Sequence, residues 1–176
     1  MSAATGRKPA TPRRPRDMLL SLAVLLVPIA VIFLGWRFLT GGTDASPIDP
    51  RPSYDEASGA GLDVREPSGL GDDWVPISQD VNQSGGAVTL RVGFYTPDEA
   101  GAQLIESDGP AKRLIGEELG KAPKETGVLS TKYPDWKTYI TVDGNNALVY
   151  STDDLTIIVH GDASVDELGS LARALK

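Results

Sequence analysis

The sequence predicts an α+β protein: an N-terminal single transmembrane helix, then an antiparallel sheet of about six or seven strands packed by one central and one C-terminal helix. Three observations predict it. Residues 18–36 form an uncharged apolar run between a basic tail and an acidic remainder. Beyond residue 62, short alternating segments are separated by Gly, Pro, Asp and Asn. The chain then closes on a capped, amphipathic helical segment.

The tail comes first. Residues 1–17 carry five basic residues against Asp17, whereas from Phe38 onward 11 basic residues face 23 acidic ones. Between them MLLSLAVLLVPIAVIFLGW would span roughly 28 Å as a helix, close to a hydrocarbon core of about 30 Å. Pro28 is tolerated in a membrane helix. Trp36 suits the interfacial belt, and Arg37 can reach the headgroups. The bilayer is therefore an expected partner through Met18–Leu39. The basic flank orients the N-terminus to the cytoplasm and the acidic part outward. Bulky Phe33, Leu34, Trp36, Phe38 and Leu39 stand where a signal peptidase needs small residues, which favours an uncleaved anchor over a cleaved signal peptide. The acidic part repels phosphates, which excludes nucleic acid as its partner.

This gives four segments: a basic cytoplasmic tail (1–17), a signal anchor (18–39), a Pro/Gly-rich stem (40–61) and an extracytoplasmic α+β domain (62–176). The stem holds Pro47, Pro50 and Pro52 among small and acidic residues. Such composition makes a linker, with a short turn of helix over residues 54–58.

Strand signals follow. Residues 62–66 form a short strand stopped by Pro67. Trp74, Val75 and Ile77 open a second, which fades by Asn82. Residues 87–95 (AVTLRVGFY) alternate Val88, Leu90, Val92 and Phe94 against Thr89, Arg91 and Gly93. Residues 98–107 read as strand over helix. Residues 110–119 read as a helix with Ala111, Leu114, Ile115 and Leu119 on one face. Strands at 127–131, 136–142, 147–150 and 155–160 come next, with Asp143-Gly144 a hairpin turn. Ser164-Val-Asp-Glu167 is a capping box, and Val165, Leu168, Leu171, Ala172 and Leu175 then share a face that must bury against the sheet.

Chemistry is read mostly by subtraction. The chain has no cysteine and one histidine. Disulfides, thiolate metal sites, cysteine nucleophiles and His-rich zinc sites are thus excluded. No phosphate loop, zinc helix or dinucleotide fingerprint is present, so no cofactor or metal is expected. His160 is the single candidate imidazole. A catalytic arrangement would pair it with an acidic residue and Ser151 or Ser164, but no nucleophile-elbow motif accompanies it. The pairs Asp72-Asp73, Glu117-Glu118, Asp153-Asp154 and Asp166-Glu167 read as solvated turns and helix faces. A two-carboxylate hydrolase remains the alternative. Trp74, Trp136, Tyr139 and Tyr150 are the residues expected to form a binding surface. The expectation is a non-catalytic interaction or sensing module at the cell envelope, with an envelope protein or cell-wall partner. An envelope hydrolase using His160 or paired carboxylates is the alternative.

Leu70-Gly-Asp-Asp-Trp74, the segment from Gly127 to Trp136, the hairpin reaching Tyr150 and IIVHGDASVDELGSLARAL together resemble the actinobacterial membrane proteins called domain of unknown function 4245. The basic tail and single N-terminal helix fit that resemblance, which implies a single-pass envelope protein and carries no catalytic residue. The outer domain is also similar, as a fold analogy, to Mog1/PsbP-like domains.

Overall fold

The computed structural model describes residues 26–28, 46–130 and 136–176. The chain divides into two units, Met1–Asp44 and Ala45–Lys176. In the first, residues 26–28 are helical and exposed. The basic tail and the rest of the expected anchor lie outside the described residues. Among the described residues no helix is long and apolar enough to cross a membrane.

The second unit is built on one seven-stranded antiparallel sheet. Its strands are β1 (Val75–Ser84), β2 (Ala87–Tyr95), β3 (Gly101–Ser107), β4 (Lys124–Leu129), β5 (Trp136–Ile140), β6 (Asn146–Ser151) and β7 (Thr156–Gly161). Helix α1 (Arg51–Gly59) precedes the sheet, α2 (Ala111–Glu118) follows β3, and α3 (Val165–Ala174) closes the chain. The strand order is β1-β2-β3-β7-β6-β5-β4. Two meanders therefore meet where β3 pairs with β7. Gly85 and Gly86, both at positive φ, make the tight turn between β1 and β2.

Alternation assigns the two faces. Val88, Leu90, Val92 and Phe94 of β2 join Ala102 and Leu104 of β3, Ile157 and Val159 of β7, and Leu148 of β6 in the larger core. Two helices seal this face: α1 lies against β1 and β2, and α3 against β6 and β7. Helix α3 buries Leu168, Leu171 and Ala172. Its capping box forms as read, with Ser164 Oγ accepting from the Glu167 N–H at 3.2 Å. On the opposite face a smaller cluster holds Ile105, Ile158, Ala147 and Val149 beneath Leu114 and Leu119.

Several expectations shift. The stem does not run to Gly61: residues 51–59 are helical, and Tyr54, Ala57 and Leu62 are buried in the core. Small and polar residues hid this helix, because only one stripe of it faces inward. Residues 62–66 do not pair as a strand. Only Pro67 bridges, to Leu175, and the Arg65 N–H donates instead to the Glu106 carboxylate. The 98–107 segment is strand only from Gly101, after a turn in which Thr96 Oγ1 accepts from the Ala100 N–H. Central strands β3 and β7 are buried on both faces for most of their length, so β3 shows little alternation to read.

Candidate functional site

Helix α2 has eight residues and covers only part of its face. Beyond it the sheet is open. Ser78 stands opposite Gly93 in the β1–β2 register, and Gln103 stands opposite His160 in the β3–β7 register. These residues, with Asn145 and Asp162, line a hollow of about 440 Å³. Gly93 keeps the floor low, because a Cβ there would collide with Ser78 Oγ. Gly161 has the same role beside β3, since its Cβ would run into the Gly101 carbonyl. His160 and Asn145 also wall a second hollow of about 270 Å³, lined by Glu117, Glu118, Thr141 and Asp143.

His160 is the ridge between the two hollows. Its Nε2 lies 3.1 Å from Gln103 Oε1. In the tautomer whose Nε2–H donates to this amide oxygen, Nδ1 is left as an acceptor. Burial lowers the imidazole pKa, and the negative charge of Glu118 opposes this more weakly. The ring is therefore neutral at neutral pH. Glu118 is itself bound by Arg91, whose Nη2 and Nε donate to Oε1 at 2.6 and 3.1 Å.

The hydroxyls that could have joined His160 are elsewhere. Ser151 Oγ pairs with Thr156 Oγ1 at 3.1 Å, at the far end of the β6–β7 ladder. Ser164 caps α3. The carboxylate pairs are dispersed as well. Glu117 faces Arg113 at 3.6 Å, Glu118 binds Arg91, and Asp166 and Glu167 occupy the first turn of α3. Among the described residues no group of three could hold a metal ion.

The four aromatic residues do not share one surface. Trp136 is fully buried and packs in a tilted arrangement against Tyr150, with centroids 5.7 Å apart. Trp74 meets Phe94 edge-on at 6.3 Å and lines a separate hollow beside Arg173. Tyr139 lies on the half-open face, and its hydroxyl donates to Glu125 Oε2 at 3.2 Å. Burial and the Glu125 charge both raise its pKa.

Ser78, Gln103 and Asn145 escaped the sequence reading. Each looks like an ordinary polar residue of a strand or turn, and only the register brings them to His160. Glu106 escaped it too. It is fully buried beneath the sealed face, where Oε2 accepts from the Arg65 N–H at 2.8 Å and Oε1 has no partner among the described residues. Burial pushes its pKa up to about 8. A glutamate inside an apolar strand was the available signal.

Sheet and hollows together define a class: an α+β domain with one sheet face sealed by helices and the other half-open and polar. A family described as Protein of unknown function (DUF4245) matches residues 11–175. The chain belongs to that family, as its sequence resemblance implied. No curated protein and no solved structure matches it.

Proposed function

We propose that the chain is a membrane-anchored extracytoplasmic interaction or sensing module that binds a partner and does not catalyse. The observation that carries this reading is the half-open face. A hydrogen-bonding hollow is held on rigid strands, and its imidazole is bonded to an amide. Neither serine expected to serve as nucleophile stands beside that ring. Membrane anchoring, a cytoplasmic N-terminus and an envelope partner rest on the basic tail, the uncharged run and the acidic outer part. The Mog1/PsbP-like analogy is kept here for the arrangement of sheet and helices alone, since fold does not fix function.

The alternative, an envelope hydrolase, is separated by His160→Gln. Glutamine keeps a neutral hydrogen-bonding group but cannot shuttle protons near neutral pH. Complementation of a deletion strain should survive this change if the hollow only binds. Loss of complementation by the folded variant, or turnover of an envelope glycan or peptide by the pure protein, would support the hydrolase. Orientation is tested by single cysteines, which label without background because the chain has none. Ser84→Cys should react with an impermeant thiol reagent in intact cells and Ser2→Cys should not.

A further inference from the structure

We infer that helix α1 and the strap that follows it, residues 62–68, form a latch over β3 that stays shut while Glu106 keeps its proton and opens when the proton is lost. The inference concerns the sealed face and goes beyond the binding reading above, which stands or falls separately.

The path of the strap builds the latch. Helix α1 lies against β1 and β2, and α3 against β6 and β7. The strap crosses between them, over β3. Leu62 is buried at its start. The Arg65 N–H then donates to Glu106 Oε2 at 2.8 Å. At the far end Pro67 bridges to Leu175, and the Ser68 N–H donates to the Ala174 carbonyl at 2.8 Å. Glu106 itself is fully buried, and its Oε1 has no hydrogen-bond partner among the described residues. Its register neighbours on β2 and β7 are Leu90 and Ile157, and α3 buries Leu168, Leu171 and Ala172. None of these side chains can donate a hydrogen bond.

The charged and titratable groups around Glu106 come from α1 and the strap. Tyr54 of α1 stays protonated, because burial and then the charges of Glu106 and Glu66 raise its pKa. Arg65 favours the ionised carboxyl, while Asp63 and Glu66 oppose it. The Arg65 guanidinium is itself paired with Asp63. A neutral acid therefore fits the closed latch, whereas an anion leaves Oε1 charged and unmet in an apolar surround.

The latch is the element built to yield. β3 is held by ladders on both sides. Helix α1 buries only Ser53, Tyr54 and Ala57 and has no side-chain cap at its N-terminus. Residues 62–66 pair with no strand. Lifting α1 and the strap would bring water to Glu106 and leave both ladders intact, so this local opening lies below global unfolding in free energy.

Hydrogen exchange read by mass spectrometry tests the latch on the full chain in micelles, from pH 5 to 9, after correction for the intrinsic rate of each amide. At pH 5 residues 51–66 should be at least about a hundredfold less protected than β2, β3 and β7. Their protection should fall by up to about tenfold per pH unit and level off above about pH 8. Glu106→Gln should make the profile of residues 51–66 flat. Glu106→Met, of similar volume and without an ionisable group, should do the same and serves if the glutamine variant does not fold. Residues 51–66 protected as strongly as the sheet would mean one global opening and overturn the inference. Protection there that is independent of pH in the wild type, or a wild-type slope that survives in either variant, would overturn it as well.

Discussion

The two faces of the sheet are made from the same strands yet treat their polar residues in opposite ways. On the sealed face, under α1 and α3, the buried carboxyl Glu106 holds one backbone N–H and leaves its other oxygen unpartnered among the described residues. On the half-open face, His160 and Gln103 satisfy each other beside hollows that reach solvent. A polar group on the first face costs stability unless it stays uncharged. On the second it remains available to a ligand. The sealed face thus sets how firmly the domain folds, and in the function proposed above the half-open face is the one that meets a partner.

The largest effect that would break this comparison lies in the core. Leu171 is fully buried on α3, and Leu171→Ala should cost about 2–5 kcal/mol in denaturant unfolding. An unmoved midpoint would mean that α3 is not docked.

A comparable effect comes through pH. The Glu106 pKa is raised from an ordinary 4.5 to about 8, chiefly by burial; the Arg65 N–H and charge pull it down, while Asp63 and Glu66 push it up. Tyr54, packed on the same side from α1, is also raised, by burial and then by the charges of Glu106 and Glu66. A carboxyl with a raised folded pKa binds its proton more tightly when folded. Its stabilising contribution is complete below the ordinary value and is lost as pH rises through about 8. Stability should therefore fall by a few kcal/mol at most across that window. Glu106→Gln should flatten the decline. A wild-type profile that rises over the same range would contradict the account.

The smallest of these effects is the cap. Ser164→Ala removes the acceptor for the Glu167 N–H and should cost about 1 kcal/mol. The box is solvent-exposed, so the half-open face should keep its ligand behaviour in this variant.

The sequence carried the sealed face better than the half-open one, for a physical reason. Burial on one face writes a period into the chain, so Val88 to Phe94 and Leu168 to Leu175 could be assigned without coordinates. The capping box and the Asp143-Gly144 turn are local and were equally legible. Helix α1 was not, because Tyr54 and Ala57 sit among Pro, Ser, Asp and Glu that suit a linker as well. The hollow was hidden more deeply. Gln103 and His160 are 57 positions apart, and Ser78 reaches them only across two further strand pairings. The aromatic residues misled because Trp136 fills the core where its neighbours in sequence are polar.

The division of labour between the faces is tested most directly by one paired measurement on His160→Leu, which leaves Gln103 without its partner and makes the ridge of the hollows apolar. The denaturant midpoint and in-cell complementation are read on the same variant. The account predicts a midpoint close to wild type, far from the loss expected for Leu171→Ala, together with lost complementation. Complementation that persists, or a midpoint that falls as far as that of Leu171→Ala, would contradict it.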